Sequence, residues 1–208
     1  MNPSPVINDD KPPTTNGIAM LTNNDLILIF DVIVKITTPL SINILKGVII
    51  LTITSNIKIK SLLVSIAIPL VVGGLSSLIT GDGFKNYSEV TQPALSPPSW
   101  LFPIVWTLIY IMMGIAAYLI YESGHESSKK ALTLYVIQLA INFIWPIFFF
   151  GFDAYLFAFI LIIILWIFVL ITTISFYKIN KTSGILMIPY VLWLTFAAYL
   201  NLGVYLLN

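Results

Sequence analysis

The chain has 208 residues, of which 58% are hydrophobic and only 9% are charged, with a formal net charge of +1. Soluble domains carry about 25% charged residues, so this composition excludes an ordinary globular protein and indicates a membrane protein. All ten basic residues are Lys, and no basic cluster is present that would hold nucleic acid. The absence of Cys and the single His exclude disulfides, thiolate sites and a multi-histidine metal site. We therefore expect no metal site and no required cofactor.

Residues 1–60 differ in composition from the remainder, 61–208, and are predicted to be a separate N-terminal extension. Residues 1–25 are rich in Pro, Asn, Thr and Asp, which is typical of disorder. The apolar runs Leu26–Ile36 and Val48–Ile53 are too short to cross a bilayer. We expect them to lie at the membrane interface or against the transmembrane helices.

Five apolar segments follow, each close to the roughly 20 residues that cross about 30 Å of hydrocarbon. They run approximately over 61–80, 98–121, 131–152, 154–177 and 184–207. No Lys, Arg, Asp or Glu lies well inside any of them, and the connections are short, so consecutive segments should be antiparallel. The sequence therefore predicts an all-α membrane protein, a bundle of five transmembrane helices.

Lysine placement predicts the orientation of this bundle. Six lysines flank helix ends that an antiparallel arrangement brings to one side, whereas Lys85 alone lies on the other. The six are Lys58, Lys60, Lys129, Lys130, Lys178 and Lys181. By the positive-inside rule the N-terminus is predicted to be cytoplasmic, and the C-terminus and residues 81–97 are predicted to be outside.

Residues 92–114 carry the most informative local pattern. A proline-rich loop ending at Pro97-Pro98 leads into an uncharged segment with Trp106 and Tyr110 one turn apart, followed by Met113-Gly114. Proline is favoured at a helix start because its missing N–H has no partner there anyway. The pattern predicts that a loop meets the second span at Pro98 and that aromatic side chains gather on one face of the helix.

The third span presents a polar and aromatic face. Gln138, Asn142, Trp145 and Phe149 are spaced to lie on one side of a helix. Side-chain amides in hydrocarbon need partners, because an unpaired polar group there is costly. Two interpretations follow: the amides join helices by bonding to a neighbouring backbone, or they form the polar fringe of a ligand pocket. Pro146 removes one backbone hydrogen bond and predicts a disturbance of the helix.

Two tryptophans lie deep in their spans. Stripes such as Trp106 with Tyr110, or Trp193 with Ala197, usually indicate packing or an interfacial belt. Trp106 lies about six residues inside its span and Trp193 about nine, which is too deep for such a belt. Their proximity to small residues such as Ala197 and Gly114 indicates a concave, aromatic-walled site suited to flat apolar ligands.

The spans contain few residues that could perform conventional acid–base or nucleophilic catalysis. His125 lies in a charged loop, and no paired carboxylates or Ser/His/Asp arrangement occurs within the membrane segments. Ion-coupled transport usually places ionisable groups inside the membrane, and these spans have none. Gly73-Gly74 follows no strand and precedes no phosphate-binding lysine, so it predicts close helix packing.

Three sequence blocks carry a family resemblance. They are Gln92–Gly114, Gln138–Gly151 and Pro189–Asn201, on spans two, three and five. In order, spacing and placement they resemble the TspO/MBR family, also called translocator proteins, tryptophan-rich sensory proteins or peripheral-type benzodiazepine receptors. The resemblance covers about residues 66–208.

The resemblance implies a five-helix bundle, often a homodimer, with a ligand pocket beneath the first loop. Members of the family bind porphyrins, sterols and synthetic benzodiazepine-type drugs. Trp106 and Trp193 match tryptophans that are linked in some relatives to light- and oxygen-dependent porphyrin breakdown, which makes them candidate redox residues. Carried over by position, the ligand-binding residues are Tyr87, Pro97, Trp106, Tyr110, Asn142, Trp145, Trp193 and Ala197.

The sequence departs from the family pattern mainly in the first loop. Asn86-Tyr87 replaces a Trp-Tyr pair, Gln92-Pro93 replaces Lys-Pro, and Leu95 replaces a tryptophan. Leu161 stands where the family often has Asp, and no basic residue follows Lys181, which breaks a sterol-binding motif. These departures favour an altered lid, here residues 81–97, and weaken the case for animal-type cholesterol handling.

Three functions remain open on these grounds. The leading hypothesis is a membrane receptor or carrier for porphyrins or similar flat amphipaths such as sterols, in contact with membrane lipid and with no nucleic-acid partner. The first alternative is enzyme-like, light- and oxygen-dependent porphyrin degradation. The second is a scaffold in a membrane complex, acting through the N-terminal extension. The expected location is the cytoplasmic membrane in a prokaryote or the mitochondrial outer membrane in a eukaryote.

Overall fold

A computed structural model describes residues 58–81, 87 and 89–208. These residues form five long helices and no strand: α1 Ile59–Thr80, α2 Leu101–Glu122, α3 Ser128–Pro146, α4 Tyr155–Ile179 and α5 Lys181–Leu207. All five, α3 together with the turn that extends it, are long and apolar enough to cross a membrane. The predicted all-α fold with five transmembrane helices is confirmed. Nearly all of the predicted 1–60 extension, and Lys85, lie outside the described residues.

The second span begins later than its prolines predicted. α2 starts at Leu101 rather than at Pro98, because the chain first makes a turn in which the Leu101 N–H donates to the Pro98 carbonyl at 2.9 Å. Pro103 occupies the first turn of α2, where a backbone N–H would lack an intrahelical acceptor. The proline that suits this helix start is therefore Pro103, and the predicted boundary at 98 is wrong.

Pro146 ends the regular part of α3, as the sequence indicated. The chain continues as a wider π-helical turn over Ile147–Gly151, in which the Phe152 N–H donates to the Ile147 carbonyl at 3.1 Å. Asp153 then adopts a positive φ of 51°, a conformation that Asp tolerates better than most residues. This turn buries Phe149 at the end of the bundle where the lid lies.

Two glycines let α1 approach α2 closely. A Cβ on Gly114 would collide with the α1 backbone, lying 2.7 Å from the Ser65 carbonyl oxygen. A Cβ on Gly73 would collide with the ring of Tyr110, whereas the position beside Gly74 is open. The packing role predicted for Gly73-Gly74 is confirmed at Gly73. Gly114 serves helix packing, which corrects its predicted place in the concave site.

The two ends of the bundle differ in charge. At one end, Lys58 at the start of α1 forms an ion pair of 3.2 Å with Glu122 at the end of α2. The helix order brings the other five lysines of the predicted set to this same end. The described residues of the lid, 81, 87 and 89–97, lie at the opposite end. The side of the membrane that each end faces stays a prediction.

Candidate functional site

The lid is fastened to the end of α5. The Thr91 N–H donates to Asn208 Oδ1 at 3.0 Å, and Asn208 Nδ2 donates back to the Thr91 carbonyl at 3.0 Å. Pro93 lies against Gly203, where an added Cβ would come within 2.6 Å of the proline Cβ. This pair of contacts, which we call the lid clamp, holds residues 91–93 over the bundle.

Tyr87 lies beneath the lid and is only 5% exposed. Its ring contacts Phe102, Phe149 and Phe150, with centroid separations of 6.0, 5.9 and 5.8 Å. Gln92, at the position of the family's lysine, donates from Nε2 to the Tyr87 carbonyl at 2.9 Å. Burial raises the pKa of the Tyr87 hydroxyl above its ordinary value.

Ring contacts form a continuous series from α2 to the lid, which we call the aromatic cluster. Trp106 lies 5.5 Å from Tyr110 and 6.5 Å from Trp193, measured between ring centroids. Trp193 lies 5.9 Å from Phe102, which in turn contacts Tyr87. These separations fall within the range in which aromatic pairs attract one another. The structure thus brings together four of the predicted ligand-binding residues.

Three more of the predicted residues, Trp145, Ala197 and Pro97, are buried outside the aromatic cluster. Trp145 stacks on Phe149 at 5.3 Å and 21°, and reaches Tyr87 through that ring rather than touching Trp106. Ala197 is buried on α5 one turn beyond Trp193, and Pro97 is buried in the lid.

Asn142 lies in a hydrogen-bond network that joins α2, α3 and α5. The Tyr110 hydroxyl donates to Asn142 Oδ1 at 2.8 Å, and Asn142 Nδ2 donates to the Tyr190 hydroxyl at 2.9 Å. The Tyr190 hydroxyl donates onward to Gln138 Oε1 at 3.2 Å. Of the two interpretations of these amides, bonding between helices is confirmed, but the partners are the hydroxyls of Tyr110 and Tyr190 and not a neighbouring backbone. A contact of Asn142 with a ligand stays a prediction.

Sequence reasoning missed Tyr190 as a site residue. It is 1% exposed, it receives the Asn142 bond, and its ring lies 6.0 Å from Trp106. Its position three residues before Trp193 places both on one face of α5, a spacing that could have identified it. The same spacing rule, applied to α2, could have identified Phe102, four residues before Trp106.

The aromatic cluster is tightly packed at its lid end, and buried hydrogen-bonding groups lie close to it. The gap bounded by Tyr87, Phe149, Phe150, Asp153 and Tyr155 is too narrow for a water molecule. The indole N–H groups of Trp145 and Trp193, and both amide atoms of Asn201, are buried with no hydrogen-bond partner among the described residues. Each such group costs about 1–3 kcal/mol. A ligand with acceptor groups would recover part of that cost.

Comparison with known proteins identifies the family of the chain. The TspO/MBR family model matches residues 65–206. The chain is 35% identical over 156 residues to a tryptophan-rich protein TspO of Chlorobaculum tepidum, covering 74% of this chain and 99% of the relative. It is 37% identical over 152 residues to the Archaeoglobus fulgidus protein of the same name, covering 73% and 99%. A translocator protein of Ovis aries is 35% identical over 126 residues, covering 59% and 75%. With five apolar helices and a match over most of its length, the chain belongs to the TspO/MBR family and is an integral, multi-pass membrane protein.

Proposed function

We propose that the protein is a membrane receptor or carrier for a flat amphipathic ligand of the tetrapyrrole class, with sterol-like ligands as the alternative within that class of function. Membership of a family that includes sensory and translocator proteins supports a membrane receptor or regulatory role in general. The observation that carries the finer proposal is a series of touching aromatic rings beside buried indole N–H groups that have no partner in the described part of the chain. Rings suit the faces of a flat ligand, and the donors suit its acceptor groups.

Binding must open the aromatic cluster. Non-bonded carbon atoms prefer separations of about 3.5–4.0 Å, so a flat ligand between two rings needs roughly 7–8 Å between their planes. The centroids of Trp106 and Trp193 are 6.5 Å apart and their planes are nearly perpendicular, at 89°. Trp106 and Trp193 are both half-buried, so either ring has room to turn aside. The ligand would then lie between Trp106 and Trp193, beneath the lid.

Polar contacts would fix the ligand's orientation. The indole N–H groups of Trp145 and Trp193 would donate to carboxylates of a porphyrin, and charge-assisted hydrogen bonds of this kind are among the stronger ones. Asn142 holds the Tyr110 hydroxyl, which keeps that ring against Trp106. The expected contribution of Asn142 is therefore the placement of an aromatic wall.

The test is a titration of the purified protein with protoporphyrin, followed by the absorption band of the pigment. We expect the variant Trp106→Phe/Trp193→Phe to bind at least about tenfold more weakly, equivalent to about 1.4 kcal/mol. The matched control is Trp100→Phe/Trp166→Phe. Trp100 is 64% exposed, and the Trp166 indole already donates to Thr195 at 2.9 Å. Equal affinity of both double variants would refute the assigned site.

A second candidate function is degradation of the bound porphyrin under light and oxygen. The contact between Trp106 and Trp193, together with Tyr110 and Tyr190 beside Trp106, favours it because indole and phenol rings in contact can pass an electron. We expect slower bleaching of bound pigment in Trp106→Phe and Trp193→Phe than in Trp166→Phe, at matched occupancy. Equal bleaching in all three variants would contradict this function and leave the binding proposal intact.

A further inference from the structure

Asn201 is a buried side-chain amide near the lid end of α5. It is 1% exposed, and neither its Oδ1 nor its Nδ2 atom has a hydrogen-bond partner among the described residues. Asn142, the buried amide on α3, uses both of its side-chain groups in bonds to other helices. An amide left unpaired away from water costs free energy. Asn201 therefore does not join helices as Asn142 does, and its presence requires another explanation.

Asn201 lies on the interior face of α5, between the aromatic cluster and the lid clamp. Helical spacing places four residues on this face, namely Tyr190, Ala197, Asn201 and Asn208. The first three are buried, and Asn208 carries the two bonds to Thr91. At the rise of an α-helix, Asn201 lies about 6 Å beyond Ala197 and about 10 Å short of Asn208. The amide thus faces the interior of the bundle beneath the lid.

The part of α4 that lies level with Asn201 is apolar. The bond from the Trp166 indole to Thr195 Oγ1 places these two residues at one level of the antiparallel pair α4 and α5. Asn201 is six residues beyond Thr195, so it is level with the stretch about six residues before Trp166. The buried side chains of α4 in that stretch are Ala158 and Ile162, both 0% exposed. An amide in these surroundings has hydrogen-bonding groups that a ligand can use.

We propose that Asn201 determines specificity by binding a carboxyl group of the ligand, an inference that rests on the proposed binding of a flat tetrapyrrole. Nδ2 would donate to the carbonyl oxygen of a protonated carboxyl group, and Oδ1 would accept its O–H, so that one group satisfies both unpartnered atoms. The described residues at this end of the bundle include no cation to pair with a carboxylate. Burial beneath the lid also favours the protonated form.

The test titrates the full chain in detergent with two porphyrins, protoporphyrin, which carries two carboxyl groups, and etioporphyrin, which carries none. Each affinity of the variant Asn201→Leu is compared with that of the unmodified chain for the same porphyrin, so differences in partition into micelles cancel. We expect protoporphyrin to bind at least about tenfold more weakly, and the affinity for etioporphyrin to stay within about twofold. A residue that only shaped the site would weaken both porphyrins alike.

The melting temperature of the ligand-free protein gives a second readout. Asn201→Leu should raise it, because the change removes an amide without partners, whereas Asn142→Leu removes two bonds and should lower it. A lower melting temperature of Asn201→Leu, an unchanged affinity for protoporphyrin, or equal weakening of both porphyrins would overturn the inference and leave the proposed function standing. Failure of the unmodified chain to bind either porphyrin would refute the proposed function itself.

Discussion

The hydrogen-bond network centred on Asn142 can be tested for its effect on stability separately from any effect on ligand binding. Asn142→Leu keeps the number and branching of the side-chain heavy atoms but removes two hydrogen bonds, of 2.8 Å from Tyr110 and 2.9 Å to Tyr190. Tyr190 still donates to Gln138, so its hydroxyl stays partly satisfied, whereas the Tyr110 hydroxyl loses its acceptor.

The size of the effect follows from these contacts. Hydrogen bonds between transmembrane helices contribute about 0.6 kcal/mol on average and up to about 1.7 kcal/mol. Loss of both bonds should therefore lower the free energy of unfolding by about 1–3 kcal/mol. Tyr110→Phe removes only one of them and should cost about half as much. In the Asn142→Leu/Tyr110→Phe double variant the two losses of unfolding free energy should not add, because both substitutions remove the bond between Tyr110 and Asn142. The coupling energy should be about 0.6–1.7 kcal/mol.

The measurement is reversible unfolding in mixed micelles, followed by far-ultraviolet circular dichroism. Ser175→Ala is the control, because its hydroxyl is exposed and bonds to the Ile171 carbonyl of its own helix. An Asn142→Leu variant as stable as the unmodified chain, or a coupling energy of zero, would refute the network's role between helices. Protoporphyrin affinity measured on the same samples then shows separately whether Asn142 also serves the ligand.

Two further predictions concern helix packing and the lid clamp. Gly114→Ala should lower the free energy of unfolding by about 1–3 kcal/mol, because its Cβ meets the α1 backbone 2.7 Å from the Ser65 carbonyl oxygen. Gly74→Ala, in open space, should be neutral or slightly stabilising, and equal effects of the two in micelle unfolding would contradict the packing argument. Asn208→Ala breaks both bonds to Thr91 and should speed porphyrin dissociation about tenfold in stopped-flow measurements, equivalent to about 1.4 kcal/mol. An unchanged dissociation rate would show that the clamp does not retain the ligand.

Much of the fold could be predicted because length and polarity decide which segments cross a membrane. The residues that share a helix face could be predicted equally well, since helical spacing alone pairs Trp106 with Tyr110 and Trp193 with Ala197. The first residue of α2 was harder to predict. Pro97-Pro98 and Pro103 all suit a helix start, and the choice depends on the turn that Ser99 and Trp100 make.

The site was harder to predict than the fold, because spacing does not specify a partner on another helix. The polarity of Asn142 was evident, but its bond to Tyr190 depends on how α3 packs near α5. Gly114 could have served either a pocket or a close helix contact, since both need a small residue. The contact between the rings of Trp106 and Trp193 was not predictable either, because helical spacing within one span does not specify which ring of another helix it meets.

The contact between Gly73 and Tyr110 links the site to the mechanical state of the bilayer. Only 11% of the apolar window of α1 is buried, so this helix is held mainly by its face toward α2 and otherwise meets lipid. A helix that is longer or shorter than the hydrocarbon layer responds by tilting. Tilting of α1 would lift Gly73 from the ring of Tyr110 and loosen the support of Trp106. The affinity for a flat ligand should therefore vary with the thickness of the membrane, even at constant ligand concentration.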